Sequence, residues 1–321
     1  MLTDLPLDQL RTYRSAQTRP DDFTAFWDET LADAARHDLD VRATEVETGL
    51  TTLTTFDVSF RGFGGEEIRA WLRVPAGASG PLPTVVQYIG YGGGRGHVLE
   101  NLVWASAGFA HLVMDTRGQG AKWAVGDTAD SGPAGPSVPG VMTRGIADPA
   151  TYYYRRLYTD AVRAVDAARA LPQVDADRIA VLGASQGGGL ALAVAGLRDD
   201  LAAAVAYVPF LCDFPRSTRI TDDHPYREIA DYLATHRDQV ERVHHTLSYF
   251  DGVTLAALAT APALISVALM DPVCPPSSVF GAANAYAGPC EVLTWDYNGH
   301  EGGGPFDDAR ALEFLRENVD R

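Results

Sequence analysis

Residues 178–196 have the sequence RIAVLGASQGGGLALAVAG, in which an apolar run, a glycine-flanked turn and a run of small residues follow one another. The first run is typical of a buried β-strand and the last of a helix. The turn at residues 183–187 has the pattern Gly-x-Ser-x-Gly, with Ser185 at its centre. A serine on such a sharp strand-to-helix turn stands above a sheet, and only small residues fit two positions before and after it. The stretch therefore predicts a serine lifted above the sheet of an α/β fold.

A serine hydroxyl is a weak nucleophile at neutral pH. A catalytic turn of this kind therefore also needs a histidine base, an orienting carboxylate and backbone donors for an oxyanion. In a chain with 31 glycines, the pattern alone is equally compatible with an ordinary strand-to-helix turn. The catalytic interpretation depends on whether the rest of the chain supplies the partners.

The composition is that of a soluble globular protein, with 46% hydrophobic and 21% charged residues in a chain of 321. This length is sufficient for one large core, and we expect a single domain over residues 1–321. A helical extension is predicted at about residues 1–40. A cap-like insertion is predicted at about residues 209–260, where mixed helical patterns interrupt the sequence of strands.

The charge balance excludes some classes of partner. The net charge is −16 and Lys122 is the only lysine, whereas nucleic-acid binding depends on clustered Lys and Arg. The first residues lack the basic and apolar regions of a signal peptide, and no apolar stretch is long enough to span a membrane. We therefore expect a cytoplasmic protein without a nucleic-acid or membrane partner. The three cysteines lack Cys-x-x-Cys spacing and are expected to be small buried residues.

The order of the predicted elements indicates a mostly parallel central sheet. Alternating runs at residues 41–46, 53–60 and 67–74 predict antiparallel N-terminal strands. From residue 83 onward strands alternate with helices, which favours parallel strands with helices on both faces. Further strands are predicted at 83–89, 109–114, 178–182, 201–208, 263–269 and 291–295, and helices at about 19–37, 98–107, 151–171, 188–196 and 306–319.

A glycine-rich loop at residues 90–96 follows the strand at 83–89 and raises the question of a dinucleotide cofactor. Arg95 occupies the position of the third glycine of the Gly-x-Gly-x-x-Gly pattern, and no Gly-Lys pair of a phosphate-binding loop is present. We therefore expect no cofactor. The glycines are better explained as allowing backbone N–H groups to approach an oxyanion.

Two residues in the later part of the chain fit the required acid and base. Asp271 follows the strand at 263–269, and His300 follows the strand at 291–295. The carboxyl ends of parallel strands form the edge at which such sheets build their sites. The order serine, acid, histidine is that of α/β-hydrolases. Asp296 is an alternative acid, and the other seven histidines are expected to have surface or structural roles.

The pair His300-Glu301 also raises the question of a zinc site. Gly304 stands where the pattern His-Glu-x-x-His requires its second histidine, so metal catalysis is not expected. Glu301 is expected to point away from the neighbouring base and to support it through a hydrogen bond.

Three motifs together resemble those of the acetyl xylan esterase and cephalosporin C deacetylase family, carbohydrate esterase family seven of the α/β-hydrolases. They are Arg-Gly-Gln-Gly at 117–120, Gly-Ala-Ser-Gln-Gly at 183–187 and His-Glu at 300–301. Similar segments extend along nearly the whole chain, including residues 5–7, 19–27, 152–155 and 270–277. The runs of glycine at 92–94 and 302–304 depart from the family pattern and leave the shape of the pocket open.

The resemblance implies an α/β-hydrolase fold and a role for each site residue. Ser185 would be the nucleophile, His300 the base and Asp271 the acid that orients the base. The backbone N–H groups of Tyr91 and Gln186 would form the oxyanion hole.

The resemblance also implies supporting residues, an assembly and a reaction. Arg117 and Gln119 would support the site together with Glu301. Family members are typically intracellular hexamers, so a homo-oligomer is expected. The implied reaction is removal of acetyl groups from acetylated xylooligosaccharides and small acetyl esters such as cephalosporin C. A serine peptidase or acyltransferase on the same fold remains an alternative, as does a non-catalytic binding protein.

Overall fold

The computed structural model describes residue 2 and residues 4–132 and 135–319. The ends of the predicted domain, Met1, Thr3, Asp320 and Arg321, lie outside the described residues, as do Pro133 and Ala134 of the long loop after residue 120. None of the helices in the described ranges combines the length and apolar character that crossing a bilayer requires.

In the described part of the chain nine strands form one sheet in the order β1-β2-β3-β5-β4-β6-β7-β8-β9. The strands are β1 Arg42–Val46, β2 Leu53–Arg61, β3 Glu67–Pro75, β4 Leu82–Tyr88, β5 Ala110–Met114, β6 Val174–Ala184, β7 Ala203–Tyr207, β8 Ala263–Ala268 and β9 Cys290–Trp295. The first three strands pair antiparallel, and β3 joins β5 antiparallel. All other pairs are parallel. The predicted fold class, a mostly parallel sheet with antiparallel N-terminal strands, is confirmed.

Helices cover both faces of this sheet. They are α1 Leu7–Leu10, α2 Phe23–Ala35, α3 Val103–Ser106, α4 Tyr153–Arg169, α5 Gln186–Leu197, α6 Phe214–Ile220, α7 Tyr226–Thr235, α8 Val240–Ser248, α9 Gly252–Ala256, α10 Pro276–Ala285 and α11 Pro305–Val319. Successive strand residues alternate between the faces, so Val86 packs in the larger core with α4 and α5, and Val85 packs in the smaller core with α3 and α11. The carboxyl ends of the parallel strands therefore stand between two packed layers.

The helix predicted at 98–107 was wrong over its first half, because the helical segment is only Val103–Ser106. The buried Arg73 guanidinium donates to the carbonyls of His97 and Val98, which a helix would need for its own hydrogen bonds. Asn101 adopts a φ of 54°, outside the right-handed helical region. A buried arginine on a distant strand thus overrides the local helical pattern.

The predicted insertion at about residues 209–260 contains α6, α7, α8 and α9. Helix α6 packs against α7 and α8, whereas α9 packs against α5 and α10. The end of the insertion is therefore part of the helical layer beside the sheet. A capping role for the rest of the insertion stays a prediction.

His111 on β5 is a fully buried histidine whose structural role has a measurable consequence. Its Nε2 lies 2.8 Å from Gln87 Oε1. Burial, together with the charge of Arg73, lowers its pKa from 6.5 to about 3. The side chain therefore stays neutral in the folded protein at pH values at which the unfolded chain takes up a proton.

We expect the free energy of unfolding to decrease as the pH falls below the unfolded pKa of His111, since the unfolded state then binds one more proton than the folded state. From pH 6.5 to about pH 4.5 this group alone should cost about 2 to 3 kcal/mol. Urea unfolding at about pH 7 and about pH 4.5 measures the loss. The loss of unfolding free energy should be about 2 to 3 kcal/mol smaller in His111→Gln than in the wild type. In the exposed control His97→Gln the loss should equal that of the wild type. Equal losses in wild type and His111→Gln would contradict the assignment.

Candidate active site

The turn that carries Ser185 has the geometry its sequence predicts. Ser185 has φ 54° and ψ −119°, a conformation that a non-glycine residue adopts only when the surrounding structure imposes it. A Cβ on Gly183 would lie 2.2 Å from the backbone of Gly187, and a Cβ on Gly187 would lie 2.2 Å from the carbonyl oxygen of Tyr88. Both glycines are therefore sterically required where β6 turns into α5.

The structure brings Ser185, Asp271 and His300 into one hydrogen-bonded series. His300 Nδ1 lies 2.9 Å from Asp271 Oδ2, and His300 Nε2 lies 3.0 Å from Ser185 Oγ. The ring tautomer that donates from Nδ1 to the carboxylate leaves Nε2 as an acceptor for the serine hydroxyl. This arrangement can remove a proton from Ser185 and hold the resulting positive charge against Asp271.

The loops after β8 and β9 place the acid and the base. Asp271 is fully buried, and its Oδ1 accepts hydrogen bonds from the amides of Val273 at 2.8 Å and Cys274 at 3.0 Å. These bonds leave Oδ2 directed at the histidine. The alternative acid, Asp296, is exposed, and the bond to His300 Nδ1 is made by Asp271.

Glu301 supports the loop that carries His300. Its two carboxylate oxygens accept from the side chain of Asn298 at 3.0 Å and from the amide of Gly299 at 3.1 Å. The hydrogen bond from its own backbone N–H, followed by those from Asn298 and Gly299, holds the pKa of the Glu301 carboxyl below its usual value. The carboxylate is engaged with its own loop, and its supporting role for the base stays a prediction.

The two amides predicted to form the oxyanion hole belong to the residue that follows Ser185 in the chain and to a residue that lines the same cavity. Gln186 is the first residue of α5, so its N–H has no partner within the helix, and the helix dipole favours negative charge there. Tyr91 lies in the loop after β4 and lines the same cavity as Ser185. Within the described ranges neither amide donates to another protein group, so both are available to a bound oxygen.

Gln119 connects the segments that carry these two amides. Its Oε1 accepts from the amide of Gly92 at 2.6 Å, next to Tyr91. Its Nε2 donates to Gln186 Oε1 and to the hydroxyl of Tyr153, both at 2.9 Å. One amide side chain thus bridges the loop after β4 and the start of α5.

Arg117 is buried among carboxylates and does not line the cavity around Ser185. Its guanidinium lies 2.5 Å from Asp160 and 2.5 Å from Glu66, and its carbonyl accepts from the Tyr153 hydroxyl at 2.6 Å. Burial alone would lower the pKa of Arg117, but these carboxylates raise it above its usual value. The residue holds the 117–120 loop, and thereby Gln119, in place.

One set of potential metal ligands lies in the site itself. Among the residues that the structure describes, Asp271, Cys274 and His300 offer ligand atoms within 4.8 Å of one another. Burial and the nearby Asp271 carboxylate raise the pKa of the Cys274 thiol well above its usual value. A neutral thiol is a poor metal ligand, and Asp271 and His300 already bind each other. The expectation that no metal takes part stays a prediction.

The cavity above Ser185 has a volume of about 420 Å³. Its lining includes residues that sequence analysis did not assign to the site, namely Lys122, Trp123, His224, Pro225 and Val273. His224 is exposed and also lines this cavity, so the surface or structural role expected for it stays a prediction. Only regional signals covered some of them, since His224 and Pro225 lie in the predicted cap-like insertion and Val273 in the family-like segment 270–277. No signal singled out the individual residues, because they come from loops without periodicity that approach Ser185 only in the folded chain.

Comparison with known proteins gives a consistent result. The sequence model described as "Acetyl xylan esterase (AXE1)" matches residues 1–318. A solved acetyl xylan esterase from Paenibacillus sp. R4 superposes with a TM-score of 0.93 at 41% identity, over 98% of this chain and all of the other. Acetyl xylan esterase 1 from Thermoanaerobacterium sp. JW/SL YS485 superposes with a TM-score of 0.90 at 32% identity, over 98% and 99% of the two chains.

A curated relative is also similar in sequence. The acetyl esterase Axe7A of Xylanibacter ruminicola is 29% identical over 286 residues, which are 88% of this chain. The match spans 63% of the length of that relative.

Proposed function

Because this chain belongs to the acetyl xylan esterase family, we propose that it is a serine carboxylic ester hydrolase that removes acetyl groups from small acetylated sugars. The observation that carries the proposal is the hydrogen-bonded series Ser185–His300–Asp271 at the carboxyl edge of the sheet. Two unpaired amides, of Tyr91 and Gln186, lie beside it.

The first half of the proposed reaction forms an acetyl-enzyme. Ser185 Oγ attacks the ester carbonyl carbon while its proton passes to His300 Nε2, and the carbonyl oxygen becomes an oxyanion that the two amides bind. The oxyanion then collapses, the bond to the alcohol oxygen breaks, and His300 returns the proton to the leaving alcohol. Each oxyanion donor contributes about 2.7 to 4 kcal/mol to lowering the barrier.

The second half releases acetate. A water molecule loses a proton to His300 Nε2 and attacks the acetyl carbon, which forms a second oxyanion in the same place. Its collapse breaks the bond to Ser185 Oγ, and the proton on His300 restores the serine hydroxyl. Asp271 stabilises the charged imidazole in both halves.

The proposed substrates are acetylated xylooligosaccharides, together with small acetyl esters such as cephalosporin C. The family membership and the acetyl xylan esterase activity named for the relatives support the acetylated sugars, whereas cephalosporin C is proposed from the resemblance of the motifs alone. The cavity of about 420 Å³ beside Ser185 is of a size for a small ligand. From the same resemblance we propose that the protein is cytoplasmic and that it forms a homohexamer. Light scattering after size-exclusion chromatography measures the mass of the assembly and thereby tests the hexamer.

A panel of esters tests the activity. We expect kcat/KM to decrease by about tenfold or more from p-nitrophenyl acetate to p-nitrophenyl octanoate, because an acyl pocket suited to acetate must strain to hold a longer chain. Acetylated xylooligosaccharides and cephalosporin C should be deacetylated, and a peptide p-nitroanilide should not be cleaved. Faster cleavage of the octanoate or of the peptide would contradict the proposal and favour a lipase or a peptidase.

A further inference from the structure

The amide of Tyr91 lies in a segment whose backbone is poorly constrained by its own sequence. Residues 90–94 are Gly-Tyr-Gly-Gly-Gly, and Gly92 has a φ of 82°. Glycine populates many backbone conformations, so the direction of an N–H group in such a segment depends on contacts from outside it. The proposed oxyanion donor therefore needs an anchor.

The side chain of Tyr91 supplies such an anchor. Its hydroxyl donates to Glu228 Oε1 at 2.6 Å and accepts from the amide of Val141 at 2.8 Å. Its carbonyl accepts from the indole N–H of Trp123 at 2.8 Å. Burial raises the pKa of the phenol above its usual value, so the hydroxyl keeps the proton that it donates to Glu228.

Glu228 is almost completely buried and reaches the site from a different part of the chain. It lies in the first turn of α7, inside the insertion at 209–260, and its second oxygen accepts from the amide of Met142 at 3.1 Å. The backbone approaches the carboxylate so closely that a Cβ on Gly140 would lie 2.3 Å from it. A buried carboxyl group is costly unless it is hydrogen-bonded, and here both oxygens of Glu228 accept a hydrogen bond.

We propose that Glu228 is a positioning residue for catalysis, which fixes the Tyr91 phenol and thereby the direction of the Tyr91 amide in the oxyanion hole. The inference rests on the proposed function of Ser185. It extends that function by giving the insertion at 209–260 a catalytic purpose, because the insertion supplies the anchor for a donor that follows β4. Gln119 holds the next amide, that of Gly92, so the segment is fixed from two sides.

The test compares Glu228→Ala, Glu228→Gln, Tyr91→Phe and the double variant Tyr91→Phe with Glu228→Ala. Misplacing a reacting group by about 1 Å costs up to about 100-fold, so we expect Glu228→Ala to lower kcat for p-nitrophenyl acetate by about 10- to 100-fold with KM little changed. Glu228→Gln keeps an oxygen that accepts from Tyr91 and should restore part of the activity. The double variant should be no worse than the more impaired single variant, since both remove one hydrogen bond.

Controls separate positioning from folding and from the proposed function. The extent of fluorophosphonate labelling gives the concentration of intact sites, and kcat is expressed per labelled site. Glu241→Ala, an exposed glutamate in the first turn of α8, should keep wild-type kcat. Wild-type kcat per labelled site in Glu228→Ala, or losses that multiply in the double variant, would overturn the positioning role. If the wild type itself neither hydrolyses the ester nor becomes labelled, the proposed function fails instead.

Discussion

Replacing Ser185 with alanine is expected to lower kcat for p-nitrophenyl acetate by a factor of about 10⁶, which is the loss seen when a serine nucleophile of this kind is removed. In the proposed reaction Ser185 Oγ is the nucleophile that forms the bond to the acetyl carbon. His300 Nε2 is hydrogen-bonded to this oxygen and acts as its base. Steady-state hydrolysis measures the loss, and labelling with a fluorophosphonate should disappear with it.

The control for this variant is Ser79→Ala, at an exposed position in the loop between β3 and β4. It should keep the activity and the labelling of the wild type. If Ser185→Ala retained the wild-type kcat, Ser185 would not be the nucleophile and the proposed mechanism would be abandoned.

Asp271→Asn is expected to lower kcat by about 10⁴, as the corresponding change does in serine hydrolases of known mechanism. The asparagine oxygen is held by the amides of Val273 and Cys274, so its NH₂ group must face His300 Nδ1. His300 would then accept at Nδ1 and carry its proton on Nε2, where it cannot take the proton of Ser185. The variant should fold normally, because its shape is unchanged.

Asp296→Asn is the matched control for the acid. It removes the same charge four residues before His300, at an exposed position. We expect wild-type kcat. A large loss in Asp296→Asn together with wild-type kcat in Asp271→Asn would reverse the assignment of the acid.

Much of the fold and the meeting of Ser185, Asp271 and His300 at one site could be predicted from sequence, because these features leave local signals. Alternating and apolar runs predicted the strands. Because Asp271 and His300 each follow a late strand, the sequence also predicted that both residues lie at one edge of the sheet. The steric need for Gly183 and Gly187 follows from the turn alone. Each of these inferences uses neighbouring residues or the order of elements.

Other features could not be predicted, because they depend on contacts between distant segments. The shortened α3 results from Arg73 on β3, which is 24 residues before His97 in the chain. Its guanidinium donates to the carbonyls of residues 97 and 98. Glu228 meets Tyr91 across 137 residues, and nothing in the pattern around α7 distinguishes it from a surface glutamate. Loop residues such as Trp123 and His224 reach the cavity in the same way.

The bridge made by Gln119 has a consequence for redesign of this protein. Its oxygen accepts from one segment and its nitrogen donates to another. The residue at position 119 must therefore have the right length and also offer an acceptor and a donor in these two places. A glutamate at position 119 would set an acceptor against the acceptor oxygen of Gln186, so the 2.9 Å hydrogen bond between the two segments would be lost. Positions 119 and 186 therefore form a coupled pair, and a redesign library should vary them together to keep the link between the two segments that carry the proposed oxyanion donors.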